Sequence, residues 1–157
     1  MRIQRYLRAL VVAARMTLRG ERPPAHPHAD LLDWTQQAGR LVDAVYAAAA
    51  AGQWGRARRQ ELKLRLDGRQ LSLETALATI RHHVRSEYPA LLRAPTPYSR
   101  TGVHAANLNH RYWLRQFQAL PELQAAPALR TALDRLAAHL DAIPPLNPVS
   151  GANVNES

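Results

Sequence analysis

The clearest alternation of apolar and polar positions lies between Thr101 and Leu120. At about 100° per residue, one side of a helix over this stretch is almost entirely apolar. That side consists of Val103, Ala106, Trp113, Leu114, Phe117 and Leu120. His110 falls in the middle of it and Asn107 on its edge. Because buried polar groups need hydrogen-bond partners, the pattern predicts that other parts of the chain supply partners for this imidazole and this amide.

Three further stretches show a helical period with recognisable ends. The first begins near Asp30, which is placed as an N-cap, and closes at Gly52. The second is capped by Ser72 and is expected to break or kink at Tyr88-Pro89, and the third stops at a Pro-Pro pair. Their apolar stripes are, in order, Leu31, Trp34, Ala38, Leu41, Val42, Val45 and Ala49; Leu73, Ala76, Leu77, Ile80, Val84 and Leu91; and Leu129, Leu133, Leu136, Leu140 and Ile143.

Residues 53–71 fit two local structures. The run LKLRL at 62–66 has the period of a strand, and the Asp67-Gly68 that follows is a hairpin turn sequence. The same Gly68 also fits the end of a short helix through residues 56–66. Because a two-stranded hairpin is marginal without packing, we favour a short helix or an irregular arm here.

The start of the chain has a stripe of its own. Residues 2–19 place apolar side chains along one side of a helix and five arginines along the other. These arginines are Arg2, Arg5, Arg8, Arg15 and Arg19. The apolar run is too short for a secretory signal, and the helix is too short and too charged to span a bilayer. A Pro-rich linker follows, so the sequence predicts a separable basic amphipathic arm.

Ala and Leu, both strong helix formers, make up much of the apolar content, whereas β-branched residues are few. The predicted fold is therefore all-α: a four-helix-bundle-like domain with an Arg-rich amphipathic N-terminal helix on a Pro-rich linker. The predicted boundaries are 1–22 for the helix, 23–29 for the linker, 30–143 for the bundle and 144–157 for a disordered polar tail.

The formal net charge is +9, and its distribution is uneven. Residues 1–70 carry thirteen basic and six acidic side chains, a net +7, and residues 71–157 carry eight and six, a net +2. A basic first half predicts an anionic partner such as nucleic acid, lipid headgroups or an acidic protein. Beside the arginines of the arm, the predicted anion-binding residues are Arg56, Arg58, Arg59, Arg65, Arg69, Arg81 and Arg85. Lys63 is the only lysine, so genome composition is an alternative source of the arginine excess.

One set of side chains has metal-binding chemistry. His83 and Glu87 are four residues apart and share a helix face, and Glu87 falls inside the apolar stripe. His110 projects from the apolar side of another helix. Two imidazoles and a carboxylate can bind zinc or ferrous iron. The other interpretation, which we favour, is a buried polar network in which Glu87 pairs with His110 or an arginine, because the paired motifs of di-iron bundles are absent.

The sequence carries no cysteine, Gly-rich phosphate loop, nucleophile elbow or paired acidic motif. The leading hypothesis is a non-catalytic helical binding or scaffold module that docks on an anionic surface or a partner subunit, as a small subunit of a nucleoprotein assembly would. One alternative is a metal-dependent bundle enzyme using His83, Glu87 and His110. Another is a peripheral membrane protein anchored by the N-terminal helix. No cofactor and no transmembrane segment are expected, an oligomer is compatible, and the expected location is the cytoplasm or its membrane surface.

Overall fold

The computed structural model describes residues 26–94 and 96–147. These residues are mostly helical, which confirms the all-α class. The predicted N-terminal helix with Arg2, Arg5, Arg8, Arg15 and Arg19 lies outside the described residues, as do residues 148–157 of the predicted tail. No helix in the described ranges is both long and apolar enough to cross a membrane.

Long helices carry the core, and a short helix and a hairpin lie between the first two of them. In chain order the elements are α1 (Ala29–Ala51), α2 (Arg56–Glu61), β1 (Lys63–Leu66), β2 (Arg69–Ser72), α3 (Leu73–His82), a π-helical turn (His83–Glu87), α4 (Tyr88–Arg93), α5 (Ser99–Gln118), α6 (Pro121–Gln124) and α7 (Pro127–Asp141). The segment from α3 through the π turn to α4 is continuous. Helix α1 packs on α7, α7 on α5, α5 on α3 and α4, and α4 on α1. The apolar stripes meet in the middle of this ring.

The start of α1 differs by two residues from the expectation, because the residue at the N-cap is His28 rather than Asp30. Ala29 is its first residue, so Asp30 lies in the first turn rather than at the N-cap. The N-cap of α3 is confirmed, because the side chain of Ser72 accepts a hydrogen bond from the backbone N–H of Thr75. Both helices bury the greater part of their predicted stripes.

The segment after α2 corrects the expectation of a short helix or an irregular arm. Helix α2 ends at Glu61, and β1 and β2 then form an antiparallel hairpin. Asp67 and Gly68 have φ values of 50° and 77°, as the two central residues of a type I′ turn require. Leu62 and Leu64 are buried in the helical core. This packing supplies the stabilisation that an isolated hairpin lacks.

The π turn lies where a regular helix meets a proline. The backbone N–H of Tyr88 donates to the carbonyl of His83, five residues back. The next residue, Pro89, has no N–H and would disturb a regular ladder at this point. The predicted break is therefore a change of helical register inside a continuous segment, since the wider turn inserts one extra residue.

This extra residue changes which side chains face the core. Between Val84 and the end of α4, the buried residues are Tyr88 and Leu92. Glu87 and Leu91, which a regular helix would bury, are exposed. The predicted apolar stripe is correct up to Val84 and wrong by one position after it.

The residues after α7 lie against the first turns of α5. The carbonyls of Pro145 and Leu146 accept hydrogen bonds from Arg100, and the carbonyl of Pro144 lies 2.8 Å from Nε2 of His104. The first residues of the predicted tail, 144–146, therefore contact α5.

Candidate functional site

The buried face of α5 carries the imidazole and the amide that the sequence analysis singled out. His110 and Asn107 are each 1% exposed. Nδ2 of Asn107 donates to the carbonyl of Leu140 in α7 at 2.9 Å. Nε2 of His110 lies 2.9 Å from Nδ1 of His83, and its Nδ1 lies 3.3 Å from the hydroxyl of Tyr88. Neighbouring helices therefore supply partners to the imidazole and to the NH₂ group of the amide, as predicted, whereas Oδ1 of Asn107 has no hydrogen-bond partner among the described residues.

Burial favours the neutral forms of these groups. Desolvation lowers the pKa of His110 from 6.5 to about 3, and the nearby His83 adds to this effect. Desolvation also lowers the pKa of His83, although Glu87 acts in the opposite direction, and it raises the pKa of Tyr88. A neutral imidazole has one N–H and one acceptor nitrogen. If the hydroxyl of Tyr88 donates to Nδ1 of His110 and the Nε2–H of His110 donates to Nδ1 of His83, both ring nitrogens of His110 have partners.

The same rings belong to a larger aromatic cluster. His83 stacks on His110 and on Tyr88, with ring centroids 4.8 and 5.5 Å apart. On its other side Tyr88 lies 6.3 Å from Trp34, whose ring stacks on His139 at 5.6 Å. The cluster joins α1, the π turn, α4, α5 and α7, so its aromatic contacts hold the helices together.

The hydrogen bonds of His110 form a short chain from His83, which is half-buried, to Tyr88. A proton could move only between these two ends. Tyr88 is 1% exposed. Its ring stacks on Trp34, so the chain of hydrogen bonds ends inside the core rather than at an open cavity. This arrangement fits a structural network better than a catalytic relay.

The structure does not bring Glu87 to His83 and His110. The side chain of Glu87 is 54% exposed, and its Oε1 lies 3.1 Å from Nε2 of His82. The expected buried pairing of Glu87 is therefore wrong, and the register change at the π turn is the reason. Across residues 26–94 and 96–147, no three His, Cys, Asp or Glu side chains are grouped so that they could hold a metal ion.

Five of the seven predicted surface arginines that the structure describes make contacts within the protein, beginning with Arg59, Arg81 and Arg85. The side chain of Arg59 is only 11% exposed, and it donates to Glu74 at 2.5 Å and to the carbonyl of Trp54 at 2.8 Å. Arg81 lies over the ring of Tyr46, 4.5 Å from its centroid. The third, Arg85, forms an ion pair with Asp43 of α1. Arg59 in particular is a structural residue and not a surface one.

The other four predicted arginines lie exposed between residues 56 and 69, a stretch here called the basic segment. They are Arg56, Arg58, Arg65 and Arg69, and Nε of Arg56 lies 4.0 Å from a carboxylate oxygen of Glu74. The segment has six basic and two acidic side chains and therefore a net charge of +4. The guanidinium of Arg58 lies 3.9 Å above the ring of Trp54, which is itself buried. This stacking holds one cation of the segment in place.

Strand alternation gives the hairpin one basic face. Lys63 and Arg65 are exposed, whereas Leu64 between them is buried. Gln70 is the cross-strand partner of Arg65 and lies on the same outer face. Among the described residues of the two strands and their turn, the single acid is Asp67, in the turn. Because Leu64 packs on the core, Lys63 and Arg65 on the opposite face of the strand point away from it and form a basic surface.

Arg100 is a buried charged residue that is not among the residues predicted from the sequence. It is 7% exposed, and its guanidinium donates to both carboxylate oxygens of Asp30 at 2.9 and 3.0 Å. This hydrogen bonding lowers the pKa of Asp30. The available signal was its position three residues before Val103, on the apolar side of α5.

No family model matches this chain, and no curated protein or solved structure matches it. A functional proposal therefore rests on the geometry of the residues themselves.

Proposed function

We propose that this chain is a non-catalytic binding module that docks on nucleic-acid phosphates through its basic segment. The observation that carries the proposal is the outer face of the hairpin, where Lys63 and Arg65 are exposed while Leu64 anchors the strand in the core. A strand that is already ordered loses little backbone freedom on binding. Neutralising phosphates with fixed cations releases counterions, which supplies most of the affinity of such contacts.

A lipid surface is the weaker alternative for this segment. Membrane docking requires apolar side chains that enter the boundary between headgroups and acyl chains. Within the described ranges, the exposed large apolar residues are Leu91, Tyr98, Leu108, Tyr112 and Leu146. All of them lie outside the basic segment, so its exposed face offers charge without an apolar contribution.

The proposal also includes a helical scaffold for the basic segment and a contribution from the N-terminal arginines. The ring of contacts among α1, α7, α5 and the α3–α4 segment supports a four-helix bundle as the scaffold that presents the basic segment. We further propose that the five arginines of residues 2–19, which the sequence predicts on an arm before a Pro-rich linker, add phosphate contacts. A module of this kind suits a small subunit of a nucleoprotein assembly.

Binding to duplex DNA and single-stranded RNA at several salt concentrations tests the proposal. In the double variant Lys63→Gln/Arg65→Gln, we expect the slope of log Kd against log salt on duplex DNA to fall by about two, because two phosphate contacts are lost. The matched control is Arg130→Gln/Arg135→Gln, which removes the same charge from α7 and should leave the slope unchanged. Equal losses in both double variants would contradict a defined binding surface.

A shortened chain that starts at Ala25 separates the arm from the basic segment. We expect it to bind nucleic acid more weakly than the full chain and to keep its sensitivity to Lys63→Gln/Arg65→Gln. Anionic liposomes provide the comparison with a membrane. Binding to liposomes, with none to DNA or RNA, would replace the proposal by the membrane alternative.

A further inference from the structure

A groove with a volume of about 480 Å³ lies between α1 and the helical segment that contains the π turn and α4. Residues of α1, including Gln36 and Arg40, line one wall, and Arg85 and Arg93 line the other. This volume is typical of small-molecule sites. No residue of the basic segment lines the groove, so it is a separate feature of the molecule.

Arginine is the main charged residue of the groove. Arg85 is neutralised by Asp43, which also lines it. Arg40 and Arg93 are exposed and form no ion pair with any residue of the described ranges. Asp33 also lines the groove and is likewise without an ion pair there. Two guanidinium groups and one carboxylate thus remain for a bound molecule.

A second, independent feature is a buried hydroxyl without a partner. Thr35 lines the groove and is 1% exposed, and its Oγ1 has no hydrogen-bond partner among the described residues. A helical threonine can donate to the carbonyl four residues back, as Thr79 does to Thr75 at 2.7 Å. Thr35 makes no such bond. Because an unpaired buried hydroxyl destabilises a protein, an occupant of the groove that hydrogen-bonds to Thr35, once this side chain turns toward the groove, would remove that cost.

We propose that the groove binds a small hydroxylated organic anion. Its carboxylate or phosphate contacts Arg40 and Arg93, because guanidinium groups form charge-assisted hydrogen bonds with both kinds of anion. Its hydroxyl groups contact Thr35 and Asp33, which offer a hydroxyl and a carboxylate. Apolar side chains of the wall, such as Pro89, cover the carbon skeleton.

The chain's own N-terminal arm does not match this groove in charge. Residues 1–25 carry six arginines and one acid. Their net charge has the same sign as the two arginines of the groove that lack an ion pair. A small anion complements those arginines, whereas the basic arm would be repelled by them.

Thermal unfolding of the full chain with glycerol 3-phosphate, tartrate, succinate and inorganic phosphate, at matched ionic strength, tests the proposal. We expect at least one hydroxylated anion to raise Tm saturably, and by more than succinate or inorganic phosphate does, since these two have no carbon-bound hydroxyl. The comparison of glycerol 3-phosphate with tartrate shows whether a phosphate or a carboxylate is preferred. Failure of both hydroxylated anions to raise Tm would overturn the proposal.

Variants locate the binding. Arg40→Gln and Arg93→Gln should each weaken the active anion by about tenfold or more, because each removes a charge-assisted hydrogen bond. Arg135→Gln removes the same charge outside the groove and should leave the affinity unchanged. Equal weakening by all three would show a net-charge effect and overturn the proposal.

Thr35→Val separates binding from folding. It removes an unpaired hydroxyl, so we expect Tm of the free protein to rise or stay constant while the anion binds more weakly. Undiminished binding in Thr35→Val would overturn the assigned contact. The Lys63→Gln/Arg65→Gln variant should keep its full response to the small anion, so this inference and the nucleic-acid proposal can fail separately.

Discussion

At the scale of single residues, His110 links protein stability to pH. Its folded-state pKa is about 3, whereas the ordinary value is 6.5. Between these values the unfolded chain binds a proton at this position that the folded protein does not. The contribution of His110 to the free energy of unfolding is therefore fully present above pH 6.5 and falls as the pH decreases toward 3, by up to about 1.4 kcal/mol per pH unit.

Denaturant unfolding between pH 7 and pH 4.5 measures this dependence. His110→Gln should be less stable than the parent at pH 7, because Tyr88 and His83 lose their partner geometry, but its stability should change less over the same range. The range stays above the titration of Asp30, whose pKa the hydrogen bonds from Arg100 lower further. A parent and a variant with the same pH dependence would show that His110 is not the titrating group.

At the scale of elements, the π turn is an insertion that can be removed. Deleting Ser86 leaves Tyr88 four residues after His83, so a regular helix would keep Tyr88 and Leu92 on the buried side. Pro89 would then lie inside a regular helix and cost about 3 kcal/mol. We expect the deletion alone to destabilise by roughly this amount and Pro89→Ala to restore much of the loss, as measured by denaturant unfolding.

A deletion in a regular helix is the control for this prediction. Asn109 is an exposed residue of α5, and its removal rotates the following turns by about 100°. Leu114 and Phe117, both fully buried, would leave the core, each at a cost of about 2–3 kcal/mol. This variant should be much less stable than the Ser86 deletion, and Pro89→Ala should not rescue it. Equal stability of the two deletions would argue against the register change.

At the scale of the whole molecule, a reciprocal contact joins the first and last long helices. Nε1 of Trp34 donates to the carbonyl of His139 at 2.8 Å, and Nε2 of His139 lies 2.8 Å from the carbonyl of Trp34. The two residues are 105 positions apart. Since the rings also stack, His139→Ala should lower the free energy of unfolding by about 1–3 kcal/mol.

The replacement His139→Phe separates the two parts of this contact. It keeps an aromatic ring and the hydrogen bond from Trp34 to the carbonyl of residue 139, but removes the hydrogen bond from the imidazole to the carbonyl of Trp34. Its loss of stability should therefore lie between zero and that of His139→Ala. His82→Ala serves as the control, because the side chain of His82 is 61% exposed. If His139→Ala were no more destabilising than His82→Ala, the contact would contribute little to holding α1 and α7 together.

Local sequence signals were enough to predict the long helices. Periodicity and side-chain chemistry within a few turns predict the apolar stripes of α1, α5 and α7. They also predict the N-cap at Ser72 and the burial of His110 and Asn107. Such signals are reliable because helical hydrogen bonds and caps join residues that are close in the chain. The amphipathic pattern therefore determined by itself that the protein is mostly helical and that α5 carries polar groups into the core.

Contacts between distant segments decided the rest. The hairpin exists because Leu62 and Leu64 find an apolar surface on helices that the local sequence does not contain. The exposure of Glu87 depends on a register change that favours burial of Tyr88 and Leu92. Arg59 left the predicted surface because it meets Glu74, fifteen residues away. In each case burial and charge pairing depend on residues that are distant in the sequence but close in space. Only the tertiary structure could therefore distinguish the arginines that stabilise the fold from those that remain exposed on the surface.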